Sequence, residues 1–321
     1  MKGAVKPGTV LIFSLLFVGC IHGGGGGGGS SASNIEYQET PDNFDGEVLT
    51  LYFNDDEGNE YTLNSATHVR SRQPREPMLP WHVGETLLLM EVDQGQTQLA
   101  YVVLNWDPDD PTDWLSTGWW LQTSGQLDLF ESDDFHAFFT GPELDRDDSF
   151  DLPTEGTATY TGSSGGLFQY IYGSDTPEFE GEYTYAEYEG PSQFTVDFSL
   201  QYLWGCVGCT GEIKSQQVHL AEILGPADVP PPDLSGYRVR LGPVRIKPDR
   251  TYENDILKVN HSEREVLDTW GFFGGALSNQ PDRDGNPRLM IGFYEGTFQE
   301  DDGGLGRFTG AYHGTTEATE E

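Results

Sequence analysis

The sequence has few cationic residues. Lys and Arg total 17 against 53 Asp and Glu, which gives a formal net charge of −36. A field of this sign repels polyphosphate chains and anionic lipid headgroups, so it argues against nucleic acid as a partner and against direct binding to a membrane surface. Two interpretations of the charge stay open: it keeps the protein soluble, or it attracts a basic partner.

Long apolar runs and helical patterns are scarce as well. The apolar segment Val10–Val18 falls far short of the roughly 20 residues that a membrane-spanning helix needs. No stretch combines a sustained 3.6-residue apolar period with capping residues, while 41 Gly and 19 Pro supply turns. The fold class predicted from these absences is all-β.

Patterns that would indicate catalysis or a metal site are missing too. No His-Glu-x-x-His motif occurs, and the acidic clusters lack the spacing of a calcium-binding loop. The nearest to such a loop, residues 281–287, is interpreted as a hairpin turn. The run Gly162-Ser-Ser-Gly-Gly is predicted to be a turn between two strands, not the strand-to-helix corner of a serine nucleophile. We therefore expect a non-enzymatic protein with no metal and no cofactor.

The N-terminus has the features of an export signal. Lys2 and Lys6 precede the apolar segment, which ends in Phe17-Val18-Gly19-Cys20 and resembles the lipobox of bacterial lipoproteins. The expected organisation is a lipoprotein signal peptide over 1–20 ending at a lipidated Cys20, then a flexible Gly/Ser tether over 21–34. The alternative is an ordinary signal peptide with a chance cysteine. Lipidation predicts anchoring in the outer membrane, either surface-exposed or facing the periplasm, with the N-terminal lipid as the sole membrane contact.

The remainder of the chain is rich in strand patterns. Residues 35–150 are predicted to form a smaller β-rich, handle-like domain, with one hairpin around an acidic tip at 54–60. Residues 151–321 alternate more regularly and end in GFYEGTF and GRFTGAY, whose spaced glycines suit the wall of a barrel. About eight strands are expected there, which fits a closed antiparallel β-barrel.

Three stretches together carry a family resemblance: GTATYTGSSGGLF, FTVDFSLQYLWGCVGCTGEI and GFYEGTFQEDDGGLGRFTGAY. In this order they resemble the β-barrel domain of the transferrin-binding protein B superfamily of bacterial surface lipoproteins. The resemblance covers roughly residues 150–315 and implies an eight-stranded barrel preceded by a handle domain. The chain has room for a single handle-plus-barrel lobe, and the resemblance supplies no ligand-binding residue.

Cys206 and Cys209 form a Cys-Val-Gly-Cys motif. A disulfide is the first expectation for an exported protein, and it requires the segment to turn, because residues three apart in a straight strand lie about 10 Å apart. Free or redox-active thiols and a metal site are the alternatives.

Two groups of residues are candidates for ligand binding. Trp114, Trp119 and Trp120 form either an exposed platform for a ligand or the core of the handle. Arg238 and Arg240 share one face of a strand, where they either pair with acids across the sheet or form an anion site.

The function expected from this organisation is binding of a protein or small-molecule ligand through loops of the barrel. Two alternatives stay open. One is a periplasm-facing module that binds haem or another small iron-bearing ligand, and the other is a structural envelope lipoprotein without a dedicated ligand.

Overall fold

The fold was established from a computed structural model. It describes residues 35–37, 44–54, 58–75, 83–109, 114–124, 134–140, 151–216, 228–278 and 281–316. Every regular element in these ranges is a β-strand, which confirms the predicted all-β class. In the described ranges no helix is long and apolar enough to cross a membrane. The predictions for residues 1–34, including the lipidated Cys20, lie outside the described residues.

Six strands form the first sheet, in the spatial order β1-β8-β7-β6-β5-β4. Their bounds are β1 Ile35–Tyr37, β4 Val69–Arg75, β5 Val83–Asp93, β6 Gln96–Trp106, β7 Trp114–Ser124 and β8 Asp134–Thr140. β1 runs parallel to β8, and the other pairs are antiparallel. The β5–β6 turn places Gln94 and Gly95 at positive φ angles of 48° and 88°, as a tight two-residue hairpin requires.

A separate hairpin packs on one face of this sheet. It consists of β2 (Thr50–Asn54) and β3 (Glu60–Asn64), as the sequence predicted for the chain around the acidic tip. Leu51, Phe53 and Leu63 are buried in one cluster with sheet residues that include Leu87 and Trp120. The hairpin thus removes one apolar face of the first sheet from water.

Ten strands form the second sheet, all between residues 157 and 316. They are β9 Thr157–Ile171, β10 Tyr183–Asp197, β11 Tyr202–Val207, β12 Lys214–Gln216, β13 Tyr237–Arg245, β14 Thr251–Asn254, β15 Leu257–His261, β16 Val266–Leu277, β17 Leu289–Glu300 and β18 Leu305–Thr316. The main path runs β14-β16-β17-β18-β9-β10-β11-β13-β15, with β12 beside β10.

The two ends of this path meet along one short segment of chain. β14 pairs with β16, β15 pairs with β13, and only Asp255 and Ile256 separate β14 from β15. The ladder therefore returns to its start through residues 251–261, and the sheet curls into a barrel. Ten assigned strands replace the predicted eight, because residues 251–261 divide into two strands and β12 joins the sheet as a short addition.

The Ser-Ser-Gly-Gly run is not the turn that the sequence predicted. It lies in the middle of β9, whose fifteen residues pair continuously with β10. A Cβ at Gly166 would overlap the backbone of Thr309 in the neighbouring β18. Ser164 uses its hydroxyl to donate to the carbonyl of Ala311 at 2.9 Å. The small residues therefore allow β9 and β18 to approach each other closely, and they do not reverse the chain.

Aromatic side chains fill the interior of the barrel. The largest fully buried members are Tyr160, Phe168, Tyr170, Tyr188, Tyr237, Tyr252, Tyr294 and Tyr312. The tyrosine hydroxyls bond to one another, to backbone oxygens or to the carboxylate of Glu300: Tyr188 pairs with Tyr294, and Tyr312 donates to Tyr252 at 3.0 Å. A polar tip on an apolar ring can be buried without loss because each hydroxyl has a partner.

The outer wall of the barrel packs against the remaining face of the first sheet. Leu88, Tyr101 and Trp119 from the first sheet share a buried cluster with Ile291 and Phe293 of β17. Thr117 also lies 3.5 Å from the carbonyl oxygen of Gly292, measured from its hydroxyl. The two sheets therefore have a common hydrophobic core between them.

Candidate functional site

The tryptophans singled out in the sequence do not form an exposed platform. Trp114, Trp119 and Trp120 retain 3%, 1% and 0% of their accessible surface. Trp119 and Trp120 follow each other in β7 and so point to opposite faces of the first sheet. Trp120 stacks on Phe53 of the β2–β3 hairpin with ring centroids 5.0 Å apart, and Trp119 stacks on Tyr101 at 5.7 Å. They are core residues because both faces of this sheet are covered.

Cys206 and Cys209 are joined by a disulfide, with Cα atoms 5.7 Å apart. The chain turns at Gly208, whose φ of 82° is easily adopted only without a side chain. A Cβ at Gly208 would also lie 2.9 Å from the carbonyl oxygen of Tyr237. The bond lies at the end of β11, where the register places Cys206 directly opposite Arg240 of β13.

Arg238 and Arg240 lie on the outward face of β13, but they do not face acids across the sheet. Their partners on β15 are Asn260 for Arg238 and Lys258 for Arg240. Arg238 bonds instead to the backbone oxygens of Ser235 and Tyr237, at 2.8 Å and 2.6 Å. The expectation of cross-strand ion pairs is wrong here, because the register brings two cations together at Arg240 and Lys258.

This wall of the barrel also carries most of the large apolar side chains that are exposed in the described part of the chain. Tyr202, Trp204, Ile256 and Trp270 are 40%, 42%, 45% and 52% exposed, and Leu200 and Leu267 lie near the strand ends. The others, Tyr52, Val83 and Val92, belong to the hairpin and the first sheet. We call the set Tyr202, Trp204, Arg240, Ile256, Lys258 and Trp270 the outer-face patch.

The strand alternation explains why the outer-face patch is exposed. In β13 and β15 the inward positions Tyr237, Val239, Leu241, Leu257 and Val259 are buried in the barrel core, and the intervening positions point outward. Sequence reasoning found Arg240 but missed Trp204 and Trp270. Each has the period-two signal of an outward position, but that signal alone does not say which neighbours lie across the sheet.

A second cluster joins the first sheet to the barrel. Ser163 Oγ lies 2.8 Å from His313 Nε2, and the Arg75 guanidinium donates to the same oxygen at 3.1 Å. Burial, helped by the nearby charge of Arg75, lowers the pKa of His313 to about 3. Among the described residues His313 Nδ1 has no hydrogen-bond partner, so the carboxylate that orients the histidine of a serine-nucleophile triad is missing.

A third cluster closes one end of the barrel around Glu300, which is 1% exposed. Its carboxylate accepts hydrogen bonds from Tyr170 at 2.5 Å and Tyr237 at 2.6 Å, and Arg264 donates at 3.2 Å. Burial and the adjacent Glu300 both raise the pKa of the Tyr237 hydroxyl well above its usual value. The described residues contain no group of three or more His, Cys, Asp or Glu that could hold a metal ion.

Comparisons with known proteins give a weak likeness. No family model matches the chain, and no curated protein matches it. The solved structure of a vaccine antigen, a double mutant of transferrin-binding protein B from Haemophilus parasuis Hp5, matches with a TM-score of 0.36 and 13% identity. The likeness is to transferrin-binding protein B. It covers 85% of this chain and 52% of that chain, so this chain spans about half the length of the protein it matches.

Proposed function

We propose that the chain is a non-enzymatic binding protein, anchored in the bacterial outer membrane through a lipid on Cys20, and that the outer-face patch binds its partner. The observation that carries the proposal is the concentration of exposed Trp, Tyr, Ile and Arg side chains on one wall of the barrel. Exposed apolar patches rimmed by polar residues mark interaction sites, and Trp, Tyr and Arg dominate the binding energy of such sites.

The N-terminal sequence supports the anchoring part of the proposal. The segment Phe17-Val18-Gly19-Cys20 precedes an unbroken run of glycine from 23 to 29, a composition typical of linkers between an anchor and a domain. Mass spectrometry of the mature protein tests it. The expected mass includes acyl chains that are absent from the variant Cys20→Ser.

The buried clusters support a role without catalysis. The Ser163–His313 pair is covered by Arg75 and lacks an orienting acid, and the carboxylate of Glu300 is occupied by two tyrosine hydroxyls and Arg264. The filled interior also disfavours haem binding inside the barrel, because rings such as Tyr188, Phe168 and Tyr237 occupy that space.

Paired affinity experiments test the binding part of the proposal. The mature wild-type protein and the variant Trp204→Ala/Trp270→Ala are immobilised and exposed to the same extracellular fluid and envelope extract. Tyr52→Ala serves as the control, because Tyr52 is 47% exposed but lies on the β2–β3 hairpin. We expect one or more components to bind the wild type and the control but not the double variant. Identical captures by all three proteins would contradict the use of this wall.

A further inference from the structure

Trp204 and Ile256 of the outer-face patch belong to an apolar row that crosses the strands. Trp204 in β11 lies beside Gly242-Pro243 of β13, where a register shift occurs between Leu203 and Gly205. On the other side of β13, the backbone N–H of Gly242 donates to the carbonyl of Ile256 at 2.9 Å. The row thus runs from Trp204 across Pro243 to Ile256.

Trp270 lies on β16, beyond β15, and it is level with Lys258 instead of Ile256. Its neighbour Thr269 places its hydroxyl 3.3 Å and 3.4 Å from the backbone nitrogen and oxygen of Val259, which brings β16 alongside β15. From β11 to β16 the patch spans three strand spacings, so it is a band about 14 Å wide. The two indole rings therefore stand on the outer strands of this band, with Trp204 level with Ile256 and Trp270 level with Lys258.

A pair of cations lies next to the apolar row. Arg240 and Lys258 face each other directly, each two residues along its strand from the apolar row, a separation of about 7 Å. Like charges in directly opposed positions destabilise a sheet. In the described part of the chain neither side chain has a carboxylate partner within ion-pair distance. Such a pair is stabilised when an external anion lies between the two charges.

The charge of the whole protein restricts where that anion can bind. With a net charge of −36, most of the surface repels an anionic chain. Acids also stand beside the patch, at Asp197 opposite Tyr202 and at Asp268 close to Trp270. A polyanion is thus confined to the centre of this wall, at the pair of Arg240 and Lys258.

We infer that the outer-face patch binds an acidic polysaccharide, a chain of sugar rings that carry carboxylates. The sugar rings stack on Trp204 and Trp270, and the carboxylates on one edge of the chain pair with Arg240 and Lys258. A band about 14 Å wide is small for a stable protein interface, which buries about 800 Å² on each partner, but it suits a thin, linear ligand. The inference rests on the proposed function and specifies the ligand class for the same wall.

Titration of the full mature protein with polygalacturonate tests the inference. The matched probe is fully methyl-esterified polygalacturonate, which has the same rings without the charge. We expect binding to the acid form and not to the ester. Trp204→Ala and Arg240→Gln/Lys258→Gln should each weaken binding about tenfold or more, the range of an interface anchor. Lys214→Gln in β12 should leave binding unchanged, because Lys214 is an exposed cation outside the patch.

Three results would overturn the inference. They are absence of binding to polygalacturonate, equal weakening by Lys214→Gln, and binding of poly-glutamate or single-stranded DNA as tight as that of polygalacturonate. The last result would show that the outer-face patch recognises negative charge whether or not the ligand has sugar rings. Polygalacturonate could fail to bind while the immobilised Trp204→Ala/Trp270→Ala variant still loses a partner that the wild type captures. In that case the ligand class is wrong, but the proposal that the outer-face patch binds a partner is kept. If both experiments fail, the proposed function fails as well.

Discussion

At the scale of single residues, the stability of this protein depends on polar groups buried between apolar surfaces. His313 and Glu300 are the clearest cases: the first sits between the two sheets and the second closes the barrel. Neither was predicted from the sequence, since their partners are far away along the chain. Ser163 and His313, for example, are 150 residues apart.

His313 should make the protein sensitive to acid. Its pKa is about 3 in the folded state against 6.5 for an unperturbed histidine, so the unfolded chain binds the extra proton first. The stabilisation is complete above pH 6.5 and is lost as the pH falls toward 3, by at most about 1.4 kcal/mol per pH unit. Urea unfolding at pH 7, 6, 5 and 4 should show a shallower decline for His313→Gln than for the wild type. Parallel declines would contradict the prediction.

Replacement of Glu300 should be costly even by an isosteric amide. Glu300→Gln removes the charge that accepts from Tyr170, Tyr237 and Arg264, and hydrogen bonds to charged groups contribute about 1.5–3 kcal/mol. We expect the unfolding free energy to fall by about 2–3 kcal/mol in denaturant titrations. The adjacent variant Asp301→Asn, at an exposed position, is the control and should change it by less than about 0.5 kcal/mol.

At the scale of elements, strand type was predictable and strand length was not. Alternation identified the hairpin β2–β3 and the outward position of Arg240, because the period of two is a local property. The same alternation predicts that β9 ends at the run Gly162-Ser-Ser-Gly-Gly, since Ser and Gly are typical turn residues. What keeps β9 extended is the close approach of β18, which only the assembled barrel provides.

A glycine of β18 gives a test of this close packing. A Cβ at Gly310 would overlap the hydroxyl of Tyr188 inside the barrel. Gly310→Ala should lower the unfolding free energy by about 1–3 kcal/mol, as overpacking of a core does. In the background of Tyr188→Phe, which removes that hydroxyl, the same change should cost less. Equal costs in the two backgrounds would show that the hydroxyl is not the obstacle.

The Cys206–Cys209 disulfide should contribute modestly to stability. It closes a very short loop, for which the chain-entropy relation gives about 2 kcal/mol, and strain commonly reduces such gains. Cys206→Ser/Cys209→Ser should therefore lower the unfolding free energy by no more than this amount. A larger loss, with retained secondary structure, would indicate that the bond also fixes the register of β11 against β13.

At the scale of the whole molecule, the sequence predicted the all-β class but not the covered core between the two sheets. The tryptophans of β7 show why: composition marks them as a notable cluster, and only the presence of a layer on each face makes both Trp119 and Trp120 interior residues. The outer-face patch likewise combines residues from strands far apart in sequence, since Trp204 and Trp270 are 66 residues apart.

The shared core predicts how the protein unfolds. Because Leu88, Tyr101 and Trp119 are buried against Ile291 and Phe293, neither sheet can unfold without exposing apolar surface of the other. Calorimetry and circular dichroism should therefore show one cooperative transition. Two separated transitions would mean that the first sheet and the barrel are energetically independent.

The short segment 251–261 closes the barrel. Its first half pairs with β16 and its second half pairs with β13, so closure of the barrel depends on one ladder of four residue pairs and one of five. Ile256 and Lys258 of the outer-face patch belong to this same seam. A long ligand that contacts both Trp204 and Trp270 would hold the strands on the two sides of this segment together. Ligand binding should therefore raise the melting temperature of the protein and slow its proteolysis near residue 255.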